Sequence, residues 1–190
     1  MPRAGLNRGL VVAEAADVAD EVGLDRLTLA AVAQRFGVAV PSLYKHVAGL
    51  DALHRELALL GVRELTAAIS QATVGRSGTA ALHATADAYR GFATSFPGRY
   101  VASVRAPAPG DDEHDAASDA ALAVVVAALS GYEISGADVV DVIRSLRAAL
   151  HGFVTLEGGG GFGQPVSVDH SFRRLVGALD VAYRSWAETV

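Results

Sequence analysis

The sequence predicts an all-α fold of about nine helices, in which a small three-helix domain precedes a larger helical domain. Three observations support this prediction. Residues 28–47 read as two short helices joined by a glycine turn. Apolar residues recur at every third or fourth position through most of the remaining chain, and alternating strand-like runs of Val, Ile and Thr are lacking. We place the domain boundary after residue 60, so that the first domain is residues 1–60 and the second is residues 61–190.

The first helix is predicted at Arg8–Val22. Its inward face is expected to hold Leu10, Ala13, Val18 and Val22, with the acidic residues outside. Leu24 and Leu27 follow and are expected to fill the small core beneath the next two helices. Arg3 and Arg8 can either reach DNA phosphates or a minor groove, or lie in solvent.

Residues 28–47 carry the clearest local pattern, a short helix, a turn and a second short helix. Thr28 is a good N-cap, because its hydroxyl can accept a hydrogen bond from a free backbone N–H. Gly37 stands where a left-handed residue ends a helix, and Pro41 suits the first turn of the next one. The apolar positions of the two helices are Leu29, Val32, Ala33, Phe36, Leu43 and Val47.

Several polar side chains of the second helix fall largely outside its apolar face. Ser42, Tyr44 and His46 can donate or accept hydrogen bonds, and Lys45 adds a positive charge. Such a projecting first turn suits the base edges and phosphate oxygens of a DNA major groove. An ordinary pair of packed helices would contain the same turn, so the turn alone leaves both interpretations open.

Residues 27–53 resemble the TetR family of bacterial transcriptional regulators through the segment L-T-L-A-A-V-A-Q-R-F-G-V-A-V-P-S-L-Y-K-H-V-A-G-L-D-A-L. The resemblance implies that the second short helix reads DNA. The predicted DNA-binding residues are Thr28, Val40, Pro41, Ser42, Tyr44, Lys45 and His46. Two positions depart from the family pattern: Leu50 replaces a phosphate-contacting lysine, and Ala30 replaces a residue that is basic or polar in some members. These departures bear on affinity and operator choice.

The distribution of charge is compatible with DNA binding, although the net charge is −5. Residues 1–47 contain five cationic and five acidic residues and are therefore neutral, so the whole −5 lies in residues 48–190. An acidic body behind a neutral head would orient the head toward DNA.

The composition also restricts the chemistry that the chain can perform. The absence of cysteine excludes disulfides and thiolate metal sites and fits a reducing cytoplasm. Six scattered histidines show no metal-ligand spacing, so neither a metal nor a cofactor is predicted. Apolar runs such as Ala120–Leu129 are expected to be too short to span a bilayer, and no membrane partner is predicted.

The rest of the chain reads as six further helices. The fourth helix starts at Gly49 and is expected to link the DNA-reading head to the second domain. The others are predicted at Thr79–Ser95, Pro97–Val104, Asp115–Leu129, Ser135–Glu157 and from Val168 or Asp169 onward. The glycine-rich segment 158–163 contains G-x-G-x-x-G, but it follows a helix and runs into a proline, so we interpret it as a flexible connector and not a nucleotide site.

A second resemblance lies in residues 147–157, R-A-A-L-H-G-F-V-T-L-E. This segment is similar to a C-terminal domain found in part of the TetR family, which is marked by a His-Gly pair and a following Leu-Glu. The matching residues are His151, Gly152, Leu156 and Glu157. Arg147 stands where a tryptophan is often present one turn earlier.

Two sites are predicted in the second domain. A pocket for a small, mostly apolar effector is expected among the fifth to eighth helices, lined by Tyr89, Phe92 and Phe96 with Arg147 or His151 as polar contacts. These aromatic residues can equally be solid core. The last two helices are expected to form the interface of a homodimer, with Leu150, Phe153, Leu179 and Tyr183 near its centre.

The sequence therefore predicts a cytoplasmic, sequence-specific DNA-binding regulator that binds a palindromic operator as a homodimer. The family resemblance implies a repressor that a small molecule releases from DNA. The alternative is an architectural DNA-binding or assembly factor without an effector. No catalytic motif is present, so the chain is not predicted to be an enzyme.

Overall fold

A computed structural model describes residues 5–186, which form eight α-helices and three short 3₁₀ segments. The α-helices are α1 (Arg8–Val22), α2 (Leu29–Phe36), α3 (Leu50–Thr73), α4 (Gly78–Ser95), α5 (Pro97–Ser103), α6 (Asp112–Leu129), α7 (Asp138–Gly158) and α8 (Val168–Arg184). The 3₁₀ segments are Leu24–Arg26, Val40–Lys45 and Ser130–Tyr132. The described residues contain no strand, which confirms the all-α prediction.

The chain divides into two compact units. The first unit comprises Met1–Glu64 and Ser95–Ala117, and the second comprises Leu65–Thr94 and Ser118–Val190. Helix α5 thus clusters with the N-terminal helices, although it lies beyond the boundary that the sequence predicts at residue 60.

The core of the first unit is built from the apolar faces of α1, α2 and α3 and the segments between them. Leu24 and Leu27 are buried there, as predicted. The inward face predicted for α1 is partly wrong, because Leu10 and Ala13 are exposed. The residues of α1 that are buried are Val11, Val12, Ala15, Ala16, Val18 and Ala19. Small apolar residues occur all round this helix, so the sequence pattern does not define which side faces inward.

Helix α5 lies with its backbone directly against two other helices of the first unit. A Cβ atom added at Gly98 would lie 2.2 Å from the carbonyl carbon of Ala19 in α1, and one added at Gly61 of α3 would lie 2.4 Å from the carbonyl oxygen of Arg99. The backbone N–H of Arg99 donates to Asp20 Oδ1 at 2.9 Å, and its guanidinium lies 3.1 Å from Asp20 Oδ2. Burial raises the pKa of the Asp20 carboxyl, and the hydrogen bond and charge of Arg99 oppose this rise.

An arginine joins three helices of the second unit. Arg90 of α4 donates to both carboxylate oxygens of Glu157 in α7, at 2.8 and 2.5 Å, and to Asp169 in α8 at 2.7 Å. Its guanidinium also lies 4.8 Å from the ring centroid of Phe172. The glutamate of the Leu-Glu pair noted in the sequence is therefore a structural anchor for α4.

A buried aspartate forms a second junction in this unit. Asp180 of α8 accepts hydrogen bonds from Thr79 at 2.7 Å and from the Tyr132 hydroxyl at 2.6 Å, and it pairs with Arg184 at 3.0 Å. Burial disfavours its charged form, but these hydrogen bonds prevail and lower the pKa of Asp180.

Helix α6 and the 3₁₀ segment after it, Asp112–Tyr132, form an unusually apolar stretch. Among the described residues it is the one segment long and apolar enough to cross a membrane by length and composition, with a mean hydropathy of 1.2. The expectation that no apolar run reaches this length is therefore wrong by this measure. Core helices of soluble proteins meet the same criterion, so the finding does not by itself indicate a membrane span.

Candidate nucleic-acid interface

The turn between α2 and the following 3₁₀ segment has the geometry that the sequence predicts. The Thr28 hydroxyl caps α2 by accepting the Ala31 N–H at 3.1 Å. Gly37 adopts the left-handed conformation with φ 64°, and the Val38 N–H donates to the Ala33 carbonyl at 3.0 Å. This pairing satisfies carbonyls at the end of α2 and fixes the direction of the chain that leaves it.

The second element of the motif is a 3₁₀ helix, Val40–Lys45, and not the α-helix expected from Pro41 to Val47. We call Val40–His46 the reading segment. Pro41 lies near the start of this segment, and Gly49, with positive φ, lies three residues after its end. Short helices of this length often take the tighter 3₁₀ form. Leu43 is fully buried and Val47 is nearly so, which confirms that these two residues share the inward face.

Burial of Leu43 leaves the other side chains of the reading segment on the surface of the first unit. Tyr44, whose exposed fraction is 56%, lies in solvent together with Lys45 and Pro41. Of the remaining predicted DNA-binding residues, Thr28 is exposed, and Val40, Ser42 and His46 are half-buried. All seven predicted residues therefore offer some surface to DNA, and their roles as DNA contacts remain predictions.

The sequence contains 16 lysines and arginines, and Lys45 is the one lysine among them. It makes no ion pair within residues 5–186, whereas two arginines of the first unit form ion pairs. Arg8 pairs with Glu56, and Arg35 pairs with Glu21. Arg3, which the sequence analysis suggests together with Arg8 as a phosphate contact, lies outside the described residues. Lys45 is thus the available cation of the reading segment.

Leu50, which replaces the lysine usual in the family, begins α3 and packs partly buried against the core of the first unit. Its side chain therefore contributes to folding of the head. A leucine carries no charge that could pair with a phosphate, so the charge of Lys45 should carry more of the electrostatic attraction to DNA.

Comparisons with known proteins agree with this geometry. The family described as bacterial regulatory proteins, tetR family, matches residues 10–57, and the tetracyclin repressor-like C-terminal domain matches residues 82–179. The uncharacterized HTH-type transcriptional regulator Rv0681 of Mycobacterium tuberculosis is 38% identical over 155 residues, which are 81% of this chain and 71% of that protein. The chain belongs to the TetR family.

Further relatives extend the agreement to nearly the whole chain. The uncharacterized HTH-type transcriptional regulator YobS of Bacillus subtilis is 35% identical over 157 residues, covering 82% of this chain and 81% of YobS. A Rhodococcus sp. RHA1 protein of unknown function matches with a TM-score of 0.76 and 25% identity, over 96% of each chain. A TetR variant of Acinetobacter baumannii AYE in complex with minocycline has the same fold, with a TM-score of 0.71 and 21% identity over 96% of this chain and 98% of that one.

This TetR-family protein is a DNA-binding transcriptional regulator of the helix-turn-helix type. TetR-family regulators are soluble proteins, and the class is generally non-enzymatic. The first family match contains the reading segment, which assigns the DNA-binding head to the first unit.

The residues predicted to line an effector pocket are divided between the two units. Tyr89 and Phe92 are buried on α4 in the second unit. Phe96 belongs to the first unit, where the Arg99 guanidinium lies 4.8 Å from its ring centroid and a surface hollow of about 360 Å³ opens beside it. Arg147 is exposed and His151 is half-buried on α7.

Sequence reasoning missed Thr85 on α4. Its side chain is 2% exposed, and its hydroxyl has no hydrogen-bond partner. Thr85, Tyr89 and Phe92 are spaced by four and three residues, so they share the inward face of the helix. A buried hydroxyl without a partner is uncommon in a folded protein, which makes Thr85 a candidate polar contact for a ligand.

The residues predicted at the dimer centre are largely occupied within the chain. Leu150, Phe153 and Tyr183 are buried in the second unit, and Leu179 is half-buried. The Tyr183 hydroxyl lies 2.8 Å from Ser145 Oγ, which joins α8 to α7. A partner protomer can cover little more of these buried side chains, so their part in a dimer remains a prediction.

Proposed function

We propose that this regulator is a cytoplasmic homodimeric repressor that binds a palindromic operator and leaves it when a small, mostly apolar molecule binds the second unit. The observation that supports DNA reading is the exposed Tyr44–Lys45 pair, held outward by buried Leu43. Two such heads per dimer would read half-sites roughly 34–36 Å apart, one turn of the duplex.

The DNA-reading assignment predicts distinct effects for two alanine variants. Tyr44→Ala should weaken operator binding by about 1–3 kcal/mol, because a base or phosphate contact is removed. Lys45→Ala should weaken binding to all sequences and reduce the slope of log affinity against log salt by about one per head. Both can be measured by fluorescence anisotropy on an operator fragment that the wild-type protein selects from a random-sequence library.

Arg76→Ala is the matched control, because Arg76 is an exposed cation in the second unit and outside the head. It should leave both affinity and salt slope unchanged. A Lys45→Ala protein that keeps the wild-type salt slope would show that the lysine does not contact phosphate.

The effector proposal rests on the inward face of α4. Tyr89 and Phe92 offer aromatic surface there, and the Thr85 hydroxyl is the one polar group that the fold leaves without a partner on that face. Ligand pockets commonly combine apolar walls with a few polar groups that fix orientation. This face suits a mostly apolar ligand with a neutral hydrogen-bonding group, and exposed Arg147 is a poorer candidate for the polar contact.

A pair of threonine variants tests this arrangement. Thr85→Val removes a hydroxyl without a partner and should raise the free energy of unfolding by roughly 1 kcal/mol or more. Thr79→Val makes the same change two turns earlier on α4, but it takes a donor from buried Asp180 and should lower that free energy by roughly 1–3 kcal/mol. Urea denaturation followed by circular dichroism measures both.

The same pair distinguishes an effector contact from solid core. Compounds that raise the wild-type melting temperature and release operator DNA should have weaker effects on Thr85→Val, because their hydrogen bond to the hydroxyl is lost. If a compound released operator DNA equally from wild type and from Thr85→Val, Thr85 would not contact that compound. A thorough screen in which no compound changes operator binding would favour the architectural DNA-binding factor instead.

A further inference from the structure

The 3₁₀ form of the reading segment arranges its side chains in three rows. A 3₁₀ helix has three residues per turn, so side chains three positions apart lie one above the other. The three rows are Val40, Leu43 and His46; Pro41 and Tyr44; and Ser42 and Lys45. The row that contains a buried residue must face the core, and the other two rows can face DNA.

The exposure of the side chains shows which rows face outward. Leu43, in the middle of the first row, is fully buried. Pro41 and Tyr44 of the second row are both exposed, and the third row has Ser42 half-buried and Lys45 exposed. The outer side of the segment therefore consists of a proline followed by a tyrosine, beside a serine followed by a lysine.

This outer side has few side chains that can identify a base by hydrogen bonds. Residues 37–50 contain no Arg, Asn, Gln, Asp or Glu. With lysine, these are the side chains that usually form specific hydrogen bonds with base edges. The nearest arginine, Arg35 on α2, is paired with Glu21. Lys45 lies at the C-terminal end of the segment, whereas the N-terminal residues of a recognition helix meet the base edges.

Pro41 is the exposed residue at the N-terminal end of the segment, and its chemistry restricts what it can read. Its ring carries only carbon-bound hydrogens, and a proline has no backbone N–H to donate. The feature of a major groove that suits an apolar contact is the C5-methyl group of thymine. Ser42, the next residue, can donate or accept a hydrogen bond and therefore tolerates more than one base.

We propose that Pro41 selects thymine in each operator half-site by packing its ring against the C5-methyl group of that base. Tyr44 lies next in the same row and extends the contact surface along the groove. A cytosine at the same position lacks the methyl group and loses the contact. The inference rests on the proposed operator binding by the reading segment and names the base that the segment selects.

Removing the methyl group from the DNA tests this contact without changing any base-pair hydrogen bond. Deoxyuridine pairs with adenine as thymidine does and lacks only the C5-methyl group. Each thymine of one half-site of the library-selected operator is replaced in turn by deoxyuridine. At one position or more, the affinity of the wild-type protein should fall about threefold to fivefold, because one methyl group is no longer buried. Fluorescence anisotropy measures each affinity.

Pro41→Ala should abolish this preference, because the smaller side chain removes the ring that contacts the methyl group. The variant should bind the thymine fragment and the sensitive deoxyuridine fragment with nearly equal affinity. Both affinities are measured on one sample, so any loss of folded protein cancels in their ratio. Pro109→Ala is the matched control, since Pro109 is an exposed proline of the first unit outside the reading segment. It should keep the wild-type ratio.

Three results would contradict these expectations in different ways. Half-sites selected without thymine, or full wild-type affinity for every deoxyuridine fragment, would overturn the contact between proline and methyl group while leaving operator binding intact. A thymine preference that persists in Pro41→Ala would assign the methyl contact to another residue and overturn the proposal as well. A wild-type protein that selects no sequence from the library would instead contradict the proposed operator binding itself.

Discussion

Gly98→Ala should lower the free energy of unfolding by about 3 kcal/mol, although it adds only one methyl group. The new Cβ would lie 2.2 Å from the carbonyl carbon of Ala19 and 2.6 Å from the backbone N of Asp20. Both atoms belong to the backbone of α1, which cannot move aside as a flexible side chain can. Helix α5 would have to shift away from α1, which would also strain the contacts between Arg99 and Asp20.

Gly91→Ala is the control for this change, because a Cβ at Gly91 of α4 would meet no atom within 4 Å. Replacing a glycine inside an exposed part of a helix by alanine should raise the free energy of unfolding by roughly 0.5–1 kcal/mol. Urea denaturation should thus show a lower free energy of unfolding for Gly98→Ala and a higher one for Gly91→Ala than for wild type. Similar stabilities for both would mean that α5 does not lie as close to α1 as the structure indicates.

The same variant links folding to DNA binding. Gly98 lies far in sequence from the reading segment, yet its neighbours Ala19 and Asp20 belong to α1, which packs in the core that supports Leu43. A shift of α5 should therefore weaken operator binding without removing any side chain that contacts DNA. Anisotropy titrations under conditions where Gly98→Ala remains folded will show this loss.

Asp180→Ala should lower the free energy of unfolding by about 3–5 kcal/mol. Asp180 is 8% exposed and its carboxylate has three partners, so removal of the carboxylate leaves the Tyr132 hydroxyl and the Thr79 hydroxyl without their acceptor inside the second unit. Arg184 loses its ion pair as well. Differential scanning calorimetry should show this as a large drop in melting temperature.

Asp169→Ala gives the comparison on the same helix. Asp169 is also paired with an arginine, but its side chain is largely exposed, so its loss should cost less than about 1 kcal/mol. A similar cost for both aspartates would contradict the central role of Asp180 in the second unit.

The stability that Asp180 provides should depend on pH in a defined direction. Hydrogen bonds outweigh burial and lower its pKa below the ordinary value of 3.8. Its contribution is therefore fully present above that value and is lost as the pH falls through the lowered pKa. The difference in stability between wild type and Asp180→Ala should narrow in acid below about pH 4.

The sequence was most informative where short-range chemistry fixes the structure. A capping threonine, a left-handed glycine and a proline near the next helix start occur within 14 residues, from Thr28 to Pro41, and each acts on its immediate neighbours. The turn followed from these three residues, and the inward direction of Leu43 followed from its four-residue spacing to Val47. The 3₁₀ form of the reading segment did not, because helix type in so short an element depends on the packing of Leu43 and Val47 into the core.

The sequence was less informative where similar residues surround a helix. Helix α1 carries Val or Ala on every side, so its periodicity could not show that Val11 faces inward and Leu10 outward. The aromatic spacing on α4 likewise grouped Phe96 with Tyr89 and Phe92, although Pro97 starts a new helix there and Phe96 joins the first unit.

By itself, the sequence determined the all-α class and the helix-turn-helix head, because helix periodicity, caps and a glycine turn are properties of neighbouring residues. The family followed from the resemblance of residues 27–53 to its members. Only the tertiary structure decided which polar groups are buried and with what partners. Thr85 and Asp180 look alike in sequence, because each is a polar residue between two apolar neighbours. The Thr85 hydroxyl nevertheless has no partner, whereas the Asp180 carboxylate has three. That difference arises from residues far apart in the chain, such as Thr79 and Tyr132 around Asp180, whose proximity no local pattern encodes.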